Sequence, residues 1–389
     1  MSTTDTIVLL SPEPWGKMLL SKMHYAMELV RRGNRVFFVN PPGEWKGAGL
    51  AGIREELEGG KLLIVDCKTV PGFLFLRHKL YFLFKVLNAR YIRAIRRLAG
   101  GHVDQVWCFN PNVIVDLRPF RADRSILFLY DLYGGKHVWK AAETADALVT
   151  ISRVILDRYQ DAAARKLLMQ HGLGHSFADR AEARMAAGEF KAVGGDRIKV
   201  GYIGNLLRVG MNTSVAMRII AAHPEMEFHF WGPASMKDNN VSSRDGVILP
   251  ELASFIEFLQ QQPHVILHGV AGQQQLAEEL PAMDLFLFLY SPSKELNGAS
   301  NAHKLLEYLS TGKTVVSTHV SNYAGTDLLV MSGPDGEDEL PELFDATIKD
   351  LVRHNSADRQ RIRMGFALDN VYPRQVDRIL EFVAGGQPT

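Results

Sequence analysis

The stretch Asn301–Tyr323, NAHKLLEYLSTGKTVVSTHVSNY, contains the pattern that decides the fold of the second half of the chain. Leucines recur at helical spacing, a glycine follows at Gly312, and the β-branched run TVVST comes directly after it. This pattern predicts a buried helix, its C-terminal glycine and a buried strand. The helix also carries Lys304 and Glu307, whose spacing of three places a cation and a carboxylate on one face.

The same alternation of short apolar strands and amphipathic helices runs outward from this stretch along the whole chain. It begins with TIVLLSP, MLLSKMHYAMELVRRG and RVFFVNPP, and it restarts with IKVGYIGN after a polar segment that contains two glycines near 192–196. Near-continuous apolar strands separated by helices indicate parallel sheets covered on both faces. We therefore expect an α/β protein with two Rossmann-like, doubly wound domains, 1–195 and 196–371, that face a cleft, followed by a terminal helix in 372–389.

Length, charge and cysteine content exclude several classes of protein. A chain of 389 residues is too long for one typical core. Its net charge of +1 provides no field that would favour nucleic acid as a partner. The two cysteines, Cys67 and Cys108, are too few for a disulfide framework or a zinc site and are expected to be buried thiols. With neither a basic signal-peptide region nor an apolar run of roughly 20 residues, a cytoplasmic protein is expected.

The strand ends of the second domain carry residues that suit a phosphate-bearing ligand. Ligands of such sheets bind beyond the carboxyl ends of the strands. The segment VGYIGNLLRVG places Gly204 and Asn205 at the end of a strand and Arg208 just beyond it. A glycine there lets a phosphate approach backbone N–H groups, and an arginine can clamp it, although a tight turn with a surface arginine has the same pattern. The absence of G-x-G-x-x-G counts against a dinucleotide oxidoreductase.

The helix that follows Asn301 contributes the second group of polar residues. Its N-terminus carries partial positive charge and free N–H donors, and Lys304 lies in its first turn. A cation is unfavourable there unless an anion such as a diphosphate is bound nearby. Glu307 follows one turn later, where its carboxylate can accept hydrogen bonds from ribose hydroxyls. The alternative is an exposed ion pair that contributes only ~0.2–0.5 kcal/mol.

The segment NAHKLLEYLSTGKTVVST resembles the nucleotide-sugar-binding motif P-x-K-x-x-E-Y-L-A-x-G-K-P-V-V of bacterial GT-B glycosyltransferases, of the group 1 or family 4-like type. Ala302 and Thr314 stand where that motif has proline. The segments ADALVTIS, HGLGHSF, VGYIGNL and HPEMEFHFWGP resemble further landmarks of the family in the same order. The resemblance covers nearly the whole chain and is strongest in the second domain. The motif positions that match are Lys304, Glu307, Tyr308, Leu309, Gly312, Lys313, Val315 and Val316.

The resemblance implies a hexosyltransferase that moves a sugar from a nucleotide-diphosphate sugar, with UDP as the expected nucleotide, to a glycan or lipid-linked acceptor. The expected setting is cell-surface polysaccharide or glycolipid assembly. Lys304 and Arg208 would neutralise the diphosphate and Glu307 would hold the ribose, without a metal or any other cofactor. The terminal helix, 372–389, would pack back on the first domain. The donor-binding residues implied in this way are Gly204, Asn205, Arg208, Asn301, Lys304, Leu305 and Glu307.

Two departures from the family pattern concern the mechanism. Many retaining members have a further glutamate, which here would fall at Ala299, and Glu295 lies in the same loop but out of register. Gly134 and Gly135 stand where related enzymes often have an acidic residue. A retaining mechanism is therefore expected from the resemblance alone. Two other functions stay open, namely a GT-B sugar-nucleotide epimerase and a non-catalytic nucleotide-sugar-binding partner of an enzyme.

The first domain is expected to bind the acceptor, and it offers two candidates for proton transfer. Asp131 follows the apolar run SILFLY, and His24 lies early in the first helix, although both residue types are often structural. The segment 73–97 is aromatic, aliphatic and basic, as is typical of a helix that lies on an anionic membrane. An ordinary covering helix with a solvated basic face is the alternative. A lipid-linked acceptor would place the protein at the inner face of the cell membrane.

Overall fold

The computed structural model describes residues 4–16, 20–43, 45–70, 72, 75–76, 79–235, 248–294 and 301–385. The chain divides into two compact units. Unit 1 comprises Met1–Met169 together with Tyr372–Thr389, and unit 2 comprises Gln170–Val371. No helix within the described ranges is both long enough and apolar enough to cross a membrane.

The sheet described in unit 1 has eight strands in the order β3-β4-β2-β1-β5-β6-β7-β8. All neighbouring strands run parallel except β3 and β4, which are antiparallel. The central strands consist mainly of buried Val, Ile, Leu and Phe, as expected where helices cover both faces of a parallel sheet. The strands are β1 (Thr6–Leu10), β2 (Arg35–Gly43), β3 (Ala51–Leu57), β4 (Leu62–Lys68), β5 (Gln105–Cys108), β6 (Arg124–Leu129), β7 (Ala147–Thr150) and β8 (Arg165–Leu168).

The sheet described in unit 2 has six parallel strands in the order β11-β10-β9-β12-β13-β14. The direction of winding reverses between β9 and β12, because the chain proceeds from β9 to one edge and then returns to the other side. Such a switch point is where ligands bind, beyond the carboxyl ends of the strands. The strands are β9 (Lys199–Ile203), β10 (Glu227–Trp231), β11 (Val265–Gly269), β12 (Leu285–Phe288), β13 (Thr314–Ser317) and β14 (Val330–Met331).

The helices follow the strands in the predicted alternation. Asn212 caps one of them, since its side-chain Oδ1 accepts a hydrogen bond from Val215 N–H at 3.3 Å. The helices of unit 1 that precede unit 2 are α1 (Ser21–Arg31), α2 (Tyr81–Leu98), α3 (Lys136–Ala142) and α4 (Arg153–Arg158). Those of unit 2 are α5 (His175–Ala187), α6 (Thr213–Ala222), α7 (Pro250–Gln261), α8 (Gln273–Glu279), α9 (Lys304–Ser310), α10 (Leu340–Lys349), α11 (Leu351–His354) and α12 (Ala357–Asp369).

The terminal helix α13 (Tyr372–Val383) belongs to unit 1. Its buried residues recur at helical spacing and join the core that also contains one face of α1. Arg32, which follows α1, donates from Nη1 to Asp377 Oδ1 at 2.5 Å and from Nη2 to the Pro373 carbonyl at 2.7 Å. The helix is therefore part of the core of unit 1. Its core residues are Tyr372, Val376, Ile379 and Phe382.

The structural division falls after Met169, whereas the sequence placed the domain boundary at 195. Buried polar contacts hold the intervening segment to unit 2. Arg184 in α5 donates to the Thr311 carbonyl at 2.7 Å, and Lys313 Nζ donates to the Lys191 carbonyl at 2.7 Å. Burial lowers the pKa of Lys313 to about 8. The small polar residues near 192–196 therefore look like a linker in sequence, although their neighbours are bonded to the second sheet.

Candidate functional site

Lys304, the first residue of α9, is buried at the switch point of the unit 2 sheet. Its Nζ donates to the carbonyl of Ile203, the last residue of β9, at 2.6 Å, and lies 3.3 Å from Tyr202 Oη. The same atom lies 4.3 Å from the ring centre of Tyr202 and 4.1 Å from that of Tyr290. Aromatic rings at these distances stabilise a buried ammonium group. The lysine therefore points to the strand ends of the sheet and does not lie on a solvated helix face.

Among the described residues, no carboxylate lies within ion-pair distance of the Lys304 ammonium group. The ammonium group bonds instead to the Ile203 carbonyl and to the phenols of Tyr202 and Tyr290. Burial lowers the pKa of Lys304, and the Arg208 guanidinium lowers it further, while Tyr290 acts in the opposite direction. An anion bound beside these two cations would favour both charges. The site therefore has the electrostatic character of an anion-binding site.

Arg208 reaches the same tyrosine from the loop that follows β9. Its guanidinium carbon lies 4.7 Å from the ring centre of Tyr290, and its Nη1 lies 3.5 Å from Tyr290 Oη. Asn205 shapes the turn that leads to it, because its Oδ1 accepts the N–H of Leu207 at 2.9 Å. Lys304 and Arg208 thus share one aromatic neighbour, and the structure brings two of the predicted donor-binding cations together.

Two glycines permit this close packing at the strand ends. Gly204 has a φ of +153°, and a Cβ added there would lie 2.5 Å from Lys304 Nζ. Gly232, which follows β10, has a φ of +142°, and an added Cβ would lie 2.0 Å from the carbonyl oxygen of Gly204. A side chain at either position would displace the neighbouring loop or the lysine. The sequence pointed to Gly204, but not to Gly232.

Glu307 lies one turn after Lys304 and is also buried. Its Oε1 is 3.1 Å from His303 Nδ1. Burial disfavours the protonated His303 ring, but the bond to Glu307 and its charge outweigh burial, so the pKa of His303 is raised. Nearby, Asn301 Nδ2 donates to Gln170 Oε1 at 3.0 Å. The predicted ribose-binding carboxylate is therefore already held by a histidine.

The remaining predicted residues of the donor side have different surroundings. The side chain of Leu305 is fully buried in the core of unit 2, and its N–H donates to the Ala302 carbonyl at 3.1 Å. Glu295 and Ala299, which bear on the missing glutamate, lie outside the described residues. Sequence reasoning missed Tyr202 and Tyr290. Their signal was an aromatic residue at the carboxyl end of an apolar strand, in VGYIG and LFLFLY.

The two proton-transfer candidates of unit 1 have different environments. Asp131 is exposed just beyond β6, and its Oδ2 lies 3.4 Å from Tyr133 Oη. Burial raises the pKa of Tyr133, and the negative charge of Asp131 raises it further. His24 is buried in α1, and its ring stacks on Tyr372 with 4.6 Å between ring centres. Of these two candidates, Asp131 is the one that is exposed to solvent at a strand end.

No protein-family model and no curated protein matches this sequence. Solved structures do resemble it. Sucrose-phosphate synthase from Thermosynechococcus elongatus is 14% identical, with a TM-score of 0.67 over 98% of this chain and 99% of that chain. The structure described as trehalose-6-phosphate from E. coli bound with UDP-2-fluoro glucose is 11% identical, with a TM-score of 0.69 over 99% of this chain and 100% of that chain. Anabaena HepE in complex with UDP-glucose is 15% identical, with a TM-score of 0.64 over 97% of this chain and 100% of that chain.

Identities this low show the fold alone. The two parallel-dominated sheets, their winding and the likeness over nearly the full length of each chain agree with one architecture. The expectation from the sequence motif around Lys304 is therefore confirmed at the level of the fold: this chain has the GT-B glycosyltransferase fold.

Proposed function

We propose that the protein is a glycosyltransferase that takes its sugar from a nucleotide-diphosphate sugar. The observation that carries this proposal is the pair of cations, Lys304 and Arg208, held around Tyr290 at the switch point of unit 2. When the bond between sugar and diphosphate breaks, negative charge develops on the diphosphate, and preorganised cations stabilise it. Two of the similar structures contain UDP-2-fluoro glucose and UDP-glucose, which supports a UDP-sugar as the donor.

The proposed reaction uses side-chain cations where other enzymes use a divalent metal ion. Lys304 and Arg208 would hold the diphosphate in place and neutralise it as it leaves. We expect turnover to persist in excess EDTA. We also expect the product to keep the anomeric configuration of the donor, which proton NMR of the product would establish. Loss of turnover in EDTA with recovery on adding Mg²⁺ would contradict the metal-independent reaction.

The donor is tested most directly by binding. A ligand at 100 times its dissociation constant stabilises the protein by about 2.7 kcal/mol, which a thermal-shift screen detects. We expect UDP and UDP-sugars to stabilise the protein more than UMP or uridine, because Lys304 and Arg208 recognise the diphosphate. If no nucleotide diphosphate or nucleotide-sugar raises the melting temperature, the donor assignment is wrong.

Turnover separates the proposed transferase from its alternatives. A transferase converts radiolabelled donor to glycosylated product when a cell-envelope acceptor is present. An epimerase would interconvert the donor sugar without any acceptor. A non-catalytic partner protein would bind the donor and leave it unchanged.

For the acceptor side, we propose Asp131 as the group that accepts the proton of the acceptor hydroxyl. It is exposed at the carboxyl end of β6, whereas His24 is buried against Tyr372. A base must reach its proton within hydrogen-bond distance, which favours the exposed carboxylate. Asp131→Asn should lower turnover while leaving UDP affinity unchanged, because the proposed diphosphate site consists of residues of unit 2. Unchanged turnover would remove Asp131 from the mechanism.

The exposed face of α2 supports a lipid-linked acceptor and a location at the inner membrane surface. Its residues recur every three or four positions and form what we call the α2 stripe, which consists of Phe82, Val86, Arg90, Arg93 and Arg97. The N-terminal half is apolar and the C-terminal half is cationic. Phe82 is 76% exposed, and Leu83 beside it is 49% exposed. Apolar groups that insert into the headgroup region and arginines that meet anionic lipids are what an interfacial helix needs.

We place this transferase in cell-surface polysaccharide or glycolipid assembly, on the cytoplasmic side of the membrane. The support is the combination of a diphosphate site in unit 2 and the α2 stripe in unit 1. Such assembly joins a soluble activated sugar to an acceptor anchored in lipid. Extraction of membranes with salt, followed by detection of the protein in the released fraction, would test the location.

A further inference from the structure

His303 occupies a position that the family motif leaves variable, immediately before α9. It lies four residues before Glu307, so both side chains fall on the same side of the helix. Its Nδ1 donates to Glu307 Oε1 across 3.1 Å. One oxygen of the carboxylate is therefore engaged within the protein. None of the described residues bonds to the other, Oε2, which can accept a hydrogen bond from a ligand.

The His303 ring is itself held from a second segment of unit 2. It forms a hydrogen bond with the backbone of Gly172, and its ring packs edge to face against His171, with 5.3 Å between the ring centres. The neighbouring bond between Asn301 and Gln170 joins the same two segments. The histidine is thus fixed in orientation before it contacts the carboxylate.

The surroundings of Glu307 show why such a partner matters. Lys304 is three residues away on the same helix, and the charge of Glu307 acts on its ammonium group. A glutamate without another partner samples many rotamers, and one of them would pair it with this lysine. That pairing would remove the carboxylate from the ribose and would neutralise the cation that faces the diphosphate.

We propose that His303 is a positioning residue that fixes the Glu307 carboxylate so that Oε2 accepts hydrogen bonds from the ribose hydroxyls of the donor. The proposal rests on the proposed function, because it assumes that a nucleoside diphosphate binds at Lys304. It goes beyond that function because it gives His303, at a position that the family motif leaves variable, a role in ribose recognition. His303 holds one oxygen of the carboxylate, and the ligand takes the other.

The test compares UDP with 2′,3′-dideoxy-UDP by calorimetry. His303→Leu removes the donor to Glu307 and should weaken UDP binding about tenfold, as expected when a hydrogen bond to a charged group is lost. The same variant should bind dideoxy-UDP nearly as well as the wild type does, because that ligand has no ribose hydroxyls to lose. His303→Asn, whose amide N–H can replace Nδ1–H, should recover most of the UDP affinity.

The matched control is His223→Leu. His223 also pairs with carboxylates in unit 2, at 3.1 Å from Glu225 and 2.9 Å from Asp345, so its loss reports what removing any such pair does. It should leave both affinities unchanged. Melting temperatures of all variants show whether His303→Leu remains folded.

The outcomes separate this role from the proposed function. If the wild type fails to bind UDP, both are overturned. If the wild type binds UDP but His303→Leu weakens UDP and dideoxy-UDP equally, or neither, the positioning role is overturned and the donor assignment stands. A variant that no longer folds leaves the comparison to His303→Asn. Wild-type affinities in that variant support the role, and an equal loss for both ligands overturns it.

Discussion

The strand ends of the two sheets differ in whether they bury a charged side chain. In unit 2, the ammonium of Lys304 is buried among Tyr202 and Tyr290, with Arg208 beside it. In unit 1, the described residues that line the pocket at the ends of β1, β2 and β5 include no carboxylate and no ammonium group. Most of these residues are apolar, and the polar ones include Ser11, Asn40 and Asn110.

This difference indicates what each unit recognises. A buried charge without a carboxylate partner lowers stability, and such strain is typical of sites that bind a charged ligand. Under the proposed function, the charged ligand of unit 2 is the diphosphate of the donor, and the buried cation lowers the stability of unit 2 until that ligand binds. Unit 1 carries exposed charges on Asp131 and on the α2 stripe, where a ligand or a membrane can reach them from solvent.

The largest effect is expected from Lys304→Met. Methionine fills the same space without the charge, and Tyr308 Oη, at 3.3 Å, remains as a partner of the Ile203 carbonyl. UDP affinity should fall ~100-fold, as expected for loss of a buried charged partner of the ligand. The melting temperature should stay the same or rise, because replacing a buried charge with an apolar group is often stabilising. Calorimetry and thermal melts check the two arms.

The test discriminates well because UDP affinity should fall while the melting temperature stays the same or rises. An unchanged UDP affinity would show that Lys304 is a structural cation. A large drop in melting temperature together with the affinity would show that the lysine holds the strand ends together, as the bond to the Ile203 carbonyl alone would suggest.

The next largest effect is expected in unit 1, from removing the charges of the α2 stripe. Replacing Arg90, Arg93 and Arg97 with Gln should weaken binding to anionic vesicles more than tenfold, because each basic residue near such a surface contributes about 1 kcal/mol. UDP affinity should not change. Co-sedimentation with the vesicles at low and high salt measures lipid binding. High salt should release the protein, because exposed charges are screened within ~10 Å at 0.1 M salt.

The control for the stripe removes the same three charges elsewhere. Replacing Arg353, Arg359 and Arg361 with Gln lowers the net charge equally but leaves α2 intact. If both triple variants lose lipid binding to the same extent, the interaction depends on net charge and the α2 stripe is an ordinary solvated face.

A smaller effect is expected from Arg208→Gln. Arg208 is half-buried and packs on Tyr290, so part of its interaction with a diphosphate is screened by solvent. UDP affinity should fall about fivefold, consistent with a partly exposed charge-assisted hydrogen bond. UMP affinity should fall less, because UMP lacks the outer phosphate. Equal losses for the two nucleotides would place Arg208 away from the diphosphate.

The smallest effect concerns the pH dependence of unit 2 stability. His229 Nδ1 lies 3.0 Å from His268 Nε2, and the rings stack. Burial lowers the pKa of both rings below the ordinary value of 6.5, and the charge of His268 lowers that of His229 further. The unfolded chain therefore binds more protons, and the free energy of unfolding should decrease as the pH falls below 6.5.

His268→Gln should reduce this decrease between pH 7.5 and 5.5, measured by urea denaturation. His303 has a raised pKa, so its contribution to stability is present below pH 6.5 and is lost as the pH rises through its folded pKa. Because His303 contributes equally to both proteins, the test compares how steeply the free energy of unfolding changes with pH in the variant and in the wild type. If the free energy of unfolding changes with pH equally in the variant and the wild type, the His229–His268 pair does not cause the loss of stability at low pH.

The sequence predicted the fold well because its signals are local and repeated. The strand and helix alternation and the spacing of Lys304 and Glu307 depend only on periodicity and on a specific motif. The compact units divide after Met169 and not at 195, because hydrogen bonds of Arg184 and Lys313 to distant carbonyls leave no mark in the local pattern.

The candidate site was predicted only in part for the same reason. Tyr202 and Tyr290 read as ordinary apolar residues at strand ends, and only the three-dimensional fold shows that they enclose an ammonium group. Arg96 donates to the Gly101 carbonyl at 2.7 Å, and sequence alone does not separate it from the exposed arginines of the α2 stripe. Register and solvent exposure decide such distinctions.

The location of α13 affects how the protein is made. Tyr372, Val376, Ile379 and Phe382 complete a core whose other walls, among them α1 and β1, leave the ribosome hundreds of residues earlier. At ~5–20 residues per second, the growing chain spends on the order of half a minute with that apolar surface uncovered. Unit 2 is synthesised in full before α13 and is free to fold first. The core of unit 1 is therefore completed last, and aggregation during synthesis is the hazard that this chain order creates.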